Sequence, residues 1–457
     1  MTPDPLPSTR RSFLRELGGG VGSLGLASFL HAVEPAPKPR PVVAERTHFQ
    51  PRAKRVIMLF MAGGPSHLDM FDPKPALTKF AGKRPDSADL RTERVTGGLM
   101  PSPFKFQPGG KSGLPVSDLL PNVRECADEL CVLRAVHASN PNHSPAANFL
   151  ASGRIDATHP GLGAWVSYGL GSETADLPGF VSLGNGFGQA GFERSGYLPG
   201  QFQATRVAAN SADPEKMIRH LRNPAVDPNE QRRQLDALQA FNRDYADRHA
   251  DDSQLVARIR AMETAFRMQT AAGEAFDTRK ETRKVRDEYG QGEFARGCLL
   301  ARRLVERGVR FVQLNLGGWD HHSNINAELK KKCGEIDKPI AALLKDLRRT
   351  GLLDDTLVLW GGEFGRTPVS ENGNGRDHNH YGFTMWLAGG GVKGGHIHGA
   401  TDEFGFKAAD GKVSVNDLHA TILHLLGLDH EKLTYRYSGR DFRLTDVAGT
   451  VVKDILA

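Results

Sequence analysis

The stretch "RVIMLFMAGG", Arg55 to Gly64, is an unbroken apolar run ended by two glycines. A strand with one wet face alternates apolar and polar residues, whereas one without polar positions is buried on both faces. Five further runs share this character: "LCVLRAV" from Leu130, "GFVSLG" from Gly179, "RFVQLNLGG" from Arg310, "TLVLWGG" from Thr356 and "TMWLAGGG" from Thr384. Helical patterns separate several of them, and "EFARGCLLARRLVERG" stops at Gly308, just before the next strand. Strands alternating with helices predict an α/β fold, with a mostly parallel central sheet covered on both faces as a three-layer α/β/α sandwich. At 457 residues and 39% apolar content the chain can bury such a core. Between about 213 and 289 the texture turns to charged helix, with stripes at Leu235, Leu238, Phe241 and Tyr245, then at Leu255, Ile259, Met262 and Phe266. This predicts a helical insertion packed on the sheet.

In open parallel sheets, ligands bind at the carboxyl ends of the strands. Three strands here end in Gly-Gly followed at once by polar residues: "GGPSHLD", "GGWDHH" and "GGEFGR". The polar residues at these ends are His67, Asp69 and Asp72, then Asp320, His321 and His322, then Glu363, with Asp377, His378 and His380 following in "GRDHNHYGF". Carboxylates and imidazoles together suit a divalent ion such as zinc or manganese, with calcium a further candidate. The expected ligands are His67, Asp69, Asp320, His322, Glu363, His378 and His380, gathered at one rim. Each has a plainer use: an aspartate can cap a helix, and a lone histidine can satisfy a carbonyl.

A fourth cluster lies in "NHSPAANFLASGR", Asn142 to Arg154: a polar corner, then helical spacing, then a Gly-Arg stop. Free N–H groups and the dipole at such a helix mouth favour an anion. Asn142, His143 and Ser144 are therefore the candidate catalytic residues. The dipole also disfavours an imidazolium, so a neutral His143 is expected near pH 7.

Of the net charge of +6, four units lie within residues 1–54, which hold eight basic and four acidic residues. The remainder gives no case for nucleic acid. Cys126, Cys131, Cys298 and Cys333 have no zinc-like spacing and read as core thiols. At the N-terminus, Arg10-Arg11, then Phe13-Leu14 and Arg15, precede a short glycine-rich apolar run ending near Ala32. This resembles a twin-arginine export signal, and the run is too short and glycine-rich to span a membrane. Residues 1–32 are expected to be this signal and 33–54 a Pro-rich linker before the main domain, 55–457. A periplasmic or extracellular protein follows, with the twin-arginine translocase as a transient partner and no stable membrane anchor.

"GGPSHLDMFDPKP", "GGWDHH", "WGGEFGRTP", "GRDHNHYGF" and the C-terminal "SGRDFRLTDV" together resemble the exported domain of unknown function 1501 family, from Val56 to Leu456. That family is grouped with the alkaline phosphatase and sulfatase superfamily. The resemblance implies an alkaline phosphatase-like fold and hydrolysis of a sulfate or phosphate ester, small or carried on a glycan. Sulfatases carry Cys or Ser, any residue, Pro, Ser, Arg, then a helix ending in Thr-Gly-Arg. On that frame Pro145 and Gly153-Arg154 match, but His143 falls on the nucleophile and Ala147 on the Arg. Gly63-Gly64 replace a ligand Asp pair, and Glu363-Phe364 replace Asp-His. The resemblance thus implies a metal-dependent hydrolase with a rearranged site and no formylglycine. Metal-bound water or His143 would act as nucleophile, His143 could instead serve as base, or Ser144 would attack if the frame slips by one, with Asn142 donating to an ester oxygen. The alternatives are a catalytically degenerate binder of an anionic glycan and a structural component of the exported compartment.

Overall fold

The computed structural model describes residues 47–185, 189–218, 221, 225–248 and 253–457. The expected export signal, 1–32, and most of the expected linker, 33–54, lie outside them. Two compact units divide the chain, and the larger, Pro41–Leu221 with Ala261–Ala457, contains the whole sheet. The strands used below are β1 (Arg55–Met61), β2 (Leu130–His137), β3 (Phe180–Asn185), β4 (Thr205–Val207), β5 (Phe311–Leu316), β6 (Thr356–Gly361), β7 (Gly365–Glu371), β8 (Gly375–Asn379), β9 (Phe383–Ala388), β10 (His396–His398) and β11 (Val413–Ser414). The central sheet runs β10-β2-β9-β6-β1-β5-β3-β4, with β11 also on β2. Every pairing is parallel except the two made by β9, which therefore runs against all its fellows. No helix lies between β6 and β9, only the hairpin β7–β8. Parallel neighbours need a crossover, usually a helix, so β9 returns antiparallel.

The apolar runs work as two-sided strands. Ile57, Leu59 and Met61 enter one core, and Val56, Met58 and Phe60 enter the other. Helices α5 (Glu293–Glu306) and α6 (Ile325–Arg349) cover the first face. Helices α1 (His143–Ser152), α2 (Leu162–Leu170) and α7 (Val415–Leu425) cover the second. This is the three-layer α/β/α arrangement. The four cysteines are free and buried.

Charged helices fill the expected insertion, as α3 (Pro228–Arg248) and α4 (Ser253–Ala275). Met268, Ala272, Ala275 and Phe276, at the end of α4 and just after it, are buried in the first core. Met262, in the larger unit, is exposed, so the second stripe does not pack inward at that position. The side chains of Tyr245 and Leu255 lie outside the described set. Among the described residues, no helix is long and apolar enough to cross a membrane.

Candidate metal centre

Five neighbouring strands, β2, β9, β6, β1 and β5, bring their chain ends to one edge of the sheet. Parallel strands deliver the residues that follow them: His143 after β2, Glu363 after β6, Gly63-Gly64 after β1, and Asp320 and His322 after β5. The reversed strand β9 delivers what precedes it, so His378 on β8 arrives at the same edge. Gly63 and Gly64 take φ of +120° and +78°. A Cβ on Gly63 would stand 2.6 Å from the Asp320 amide nitrogen, and one on Gly64 would enter the Phe364 ring. The glycine pair is thus what lets the β5 and β6 ends close on β1.

Asp320 Oδ1 is the focus. His322 Nε2 lies 2.8 Å from it, His378 Nε2 3.0 Å, and His143 Nε2 at an ion-pair distance of 3.3 Å. The far nitrogen of each imidazole is tied as well. His143 Nδ1 meets Glu363 Oε1 at 2.7 Å, His322 Nδ1 meets Glu371, and His378 Nδ1 meets Glu93 and the Pro141 carbonyl. Glu363 is fully buried and accepts a hydrogen bond from the Gly63 N–H at 2.9 Å. Arg366, also fully buried, donates to Asp320 Oδ1 at 2.7 Å and to the carbonyls of Gly64 (2.9 Å), Trp319 (3.2 Å) and Gly63. One guanidinium therefore locks the β1 and β5 ends together. The Asp320 side chain keeps 44% exposure, so one side of the focus faces solvent.

The charges follow from this geometry. Burial works against an ionised Asp320, but hydrogen bonds from His143, His322 and His378 and the Arg366 charge hold its carboxyl far below the usual range. Burial also opposes a charged His143, and hydrogen bonds to Asp320 and Glu363 overcome it, raising the imidazole to about 9. The expectation of a neutral His143 is corrected here: two carboxylates in contact outweigh a helix dipole. His322 is raised too, against burial, by Asp320 and Glu371. Burial lowers His378.

Donor atoms of His143, Asp320 and His378 lie within 4.8 Å of one another. The same holds for Glu93, Asp377 and His378, and for His322, Glu371 and Asp377. Imidazole and carboxylate donors of this kind suit a divalent cation, and an outer carboxylate on the second nitrogen of a histidine is the usual support of a metal ligand. The structure thus brings together Asp320, His322, Glu363 and His378, and places His143 with them. Asn142 and Ser144 flank His143 as exposed residues. His67, Asp69 and His380 are set apart. His67 Nε2 bonds the Gly405 carbonyl at 3.0 Å, and burial lowers its imidazole. Both Asp69 oxygens face Arg376, at 2.9 and 3.3 Å, with neither residue exposed. His380 packs against Tyr381 with the rings tilted, and burial pushes it down to about 4.

Sequence reading did not single out Glu93, Glu371 or Arg366. Two of them carried a signal. In "GRTPVSENGNGRDHN", Asn-Gly between two strand-like runs predicts a hairpin. Asn372 and Gly373 indeed take φ of +49° and +80°. The hairpin pairs His378 with Arg366 and Gly375 with Glu371. For Glu93, in an irregular stretch, no local pattern exists.

The family described as "Protein of unknown function (DUF1501)" matches residues 53–456. The chain belongs to the DUF1501 family. No curated protein matches it. Among solved structures it is similar to the PsFucS1 sulfatase from Pseudoalteromonas sp., at 13% identity and a TM-score of 0.39, over 95% of this chain and 75% of that one. It is also similar to BT1596, a 2-O GAG sulfatase, at 10% identity and a TM-score of 0.38, over 88% and 74%. The TAB5 alkaline phosphatase, a mutant with Mg bound in its M3 site, shares 11% identity at a TM-score of 0.32, over 83% and 99%.

Proposed function

We propose that this DUF1501 protein is a metal-dependent hydrolase of phosphate or sulfate esters, with a divalent cation held by His143, Asp320 and His378 and flanked by His322. The observation that carries the reading is the convergence of three imidazole nitrogens on Asp320 Oδ1, each imidazole fixed from behind by Glu363, Glu371 or Glu93. A divalent cation bound there would supply Lewis-acid polarisation of an ester oxygen and would lower the pKa of bound water. Glu363 fixes the His143 ring, Arg366 fixes Asp320, and the exposed Asn142 amide stands at the mouth to donate to an ester oxygen. His143 serves as ligand rather than nucleophile in this reading, because each of its nitrogens already faces a carboxylate. The test is metal content of the purified protein, with turnover of p-nitrophenyl phosphate and p-nitrophenyl sulfate before and after chelation. Absence of stoichiometric metal, or turnover indifferent to chelator, would reject the reading.

Binding of an anionic glycan without turnover is the second reading. It is favoured by the lack of a thiol among the clustered donors of the described residues, the four cysteines being buried elsewhere. Metal-loaded protein that binds sulfated oligosaccharide but turns over neither ester would select it. We also propose export across the cytoplasmic membrane, on the strength of Arg10-Arg11 and the short apolar run behind them. The double substitution Arg10→Lys, Arg11→Lys should then hold folded precursor in the cytoplasm, as fractionation would show.

A further inference from the structure

The motif "SGRDF", Ser438 to Phe442, takes no part in the metal centre. It forms the turn and second strand of a hairpin, Tyr435–Tyr437 against Arg440–Phe442. Ser438 and Gly439 take φ of +48° and +83°, the tight turn that two left-handed central residues allow. The hairpin walls a cavity of about 660 Å³, within the range of small-molecule sites. Arg154 joins it from just beyond the end of α1, and α1 spans ten residues, so about 15 Å of helix separates this wall from His143.

Two chemistries meet there. Arg154, Arg194, Arg440 and Arg443 line the cavity with one carboxylate, Asp446. Asp446 engages Arg154 at 3.0 Å and also Arg440. Glu431 and Asp156 reach Arg443 and Arg154, at 3.5 and 3.7 Å. Among the described residues, Arg194 has no carboxylate in reach, although it is half-buried. Aromatic rings line the same cavity. Tyr197 stacks on Tyr437 at 5.3 Å between centroids, Phe442 lies 4.9 Å from Tyr197, and Arg440 sits over Phe442 at 4.8 Å. Tyr437 is 49% exposed, an open aromatic surface in a cavity that four arginines also line.

We propose that this cavity is a binding site for an acidic saccharide, a sugar ring bearing a sulfate or a carboxylate, separate from the metal centre. The C–H face of a sugar packs on the open side of Tyr437. Its anionic group pairs with Arg194, whose planar fork suits an oxyanion bidentately. Asp446 accepts from ring hydroxyls. A nucleotide fits less well, because Tyr197 and Tyr437 are already stacked on each other and leave no slot for a base between them.

The experiment is calorimetric titration of the full mature chain with a heparin tetrasaccharide and with tetragalacturonate, which separate sulfate from carboxylate as the source of charge. Neutral chitotetraose and ATP are the controls. At least one acidic tetrasaccharide should bind at least tenfold more tightly than chitotetraose or ATP. Arg194→Ala and Tyr437→Ala should each weaken that binding at least tenfold, while Lys330→Ala, an exposed residue outside both the cavity and the metal centre, should not change it. Melting curves check that the variants fold, and Arg440→Ala substitutes for either one that does not. The proposal is overturned if neither acidic tetrasaccharide binds at millimolar concentration. It is equally overturned if chitotetraose or ATP binds as tightly, or if the cavity variants keep wild-type affinity.

Discussion

Two carboxylate–guanidinium pairs lie near the same end of the molecule and behave as opposites. Asp69 and Arg376 are wholly buried, and both carboxylate oxygens face the guanidinium. Ser66 donates to the same carboxylate, and Arg376 spends further N–H groups on the carbonyls of Thr367 (3.1 Å) and Met100 (3.0 Å). Asp320 and Arg366 make a pair of similar length, but Asp320 stays half open and three imidazoles share its oxygen. A sealed pair is a strut. The same pair with an unsealed side and convergent neutralisable donors is a ligand set. Residue type does not separate the two; what surrounds the carboxylate does.

The largest effect that would test this contrast is on stability. Asp69→Ala leaves Arg376 as a buried, unpaired charge and should cost about 3–5 kcal/mol in urea unfolding. Asp320→Ala should cost less, because the lost side chain is half exposed and the Glu363 and Asp377 carboxylates still favour the Arg366 charge. Equal costs would erase the distinction. Metal affinity should show the reverse order. Asp320→Asn should weaken it by more than the 10–100-fold typical of an outer partner, while the sealed pair is not expected to contribute directly. Competition with a chromogenic chelator reads both.

Smaller effects sharpen the picture. Glu363→Gln and Glu371→Gln retain size but lose the charge behind His143 and His322, and each should lower metal affinity by about 10–100-fold. His143→Gln removes a proposed ligand, so metal affinity should fall by more than the roughly 10–100-fold typical of an outer partner, and ester turnover with it, with the fold kept. Near-normal turnover would leave His143 as architecture. The smallest effect concerns pH. In chelator, the His143 ion pair contributes fully below the free imidazole's ordinary value of about 6.5, and that contribution is lost as pH rises through about 9. Wild-type protein should therefore lose more thermal stability than His143→Gln between these values. Parallel curves would show that His143 carries no extra proton in the folded chain.

Much of the scaffold was legible because continuous apolar runs have few alternatives: they are strands buried on both faces, and the glycine pairs after them mark one edge. The helix His143–Ser152 with its Gly153 stop was legible from its corner and its spacing. Within the rim, however, "SHLD" and "WDHH" look alike as strings. His67 and Asp69 turn onto Gly405 and Arg376, whereas Asp320 and His322 meet His143 and His378. The partner Arg376 lies 307 positions from Asp69, and no local pattern reports that distance.

The sequence by itself determined the two-sided strands, their glycine-ended edge, the helices that cover them and membership of the DUF1501 family. These are properties of local periodicity and of residues whose backbone freedom is fixed by their own chemistry. The tertiary structure alone decided that β9 runs backwards and so delivers His378 to the rim. It also decided that Glu93 and Glu371 stand behind the imidazoles, and that one aspartate is sealed while another is open. Each of these depends on which groups are within a few ångströms, because desolvation and charge pairing act through distance in space and not along the chain.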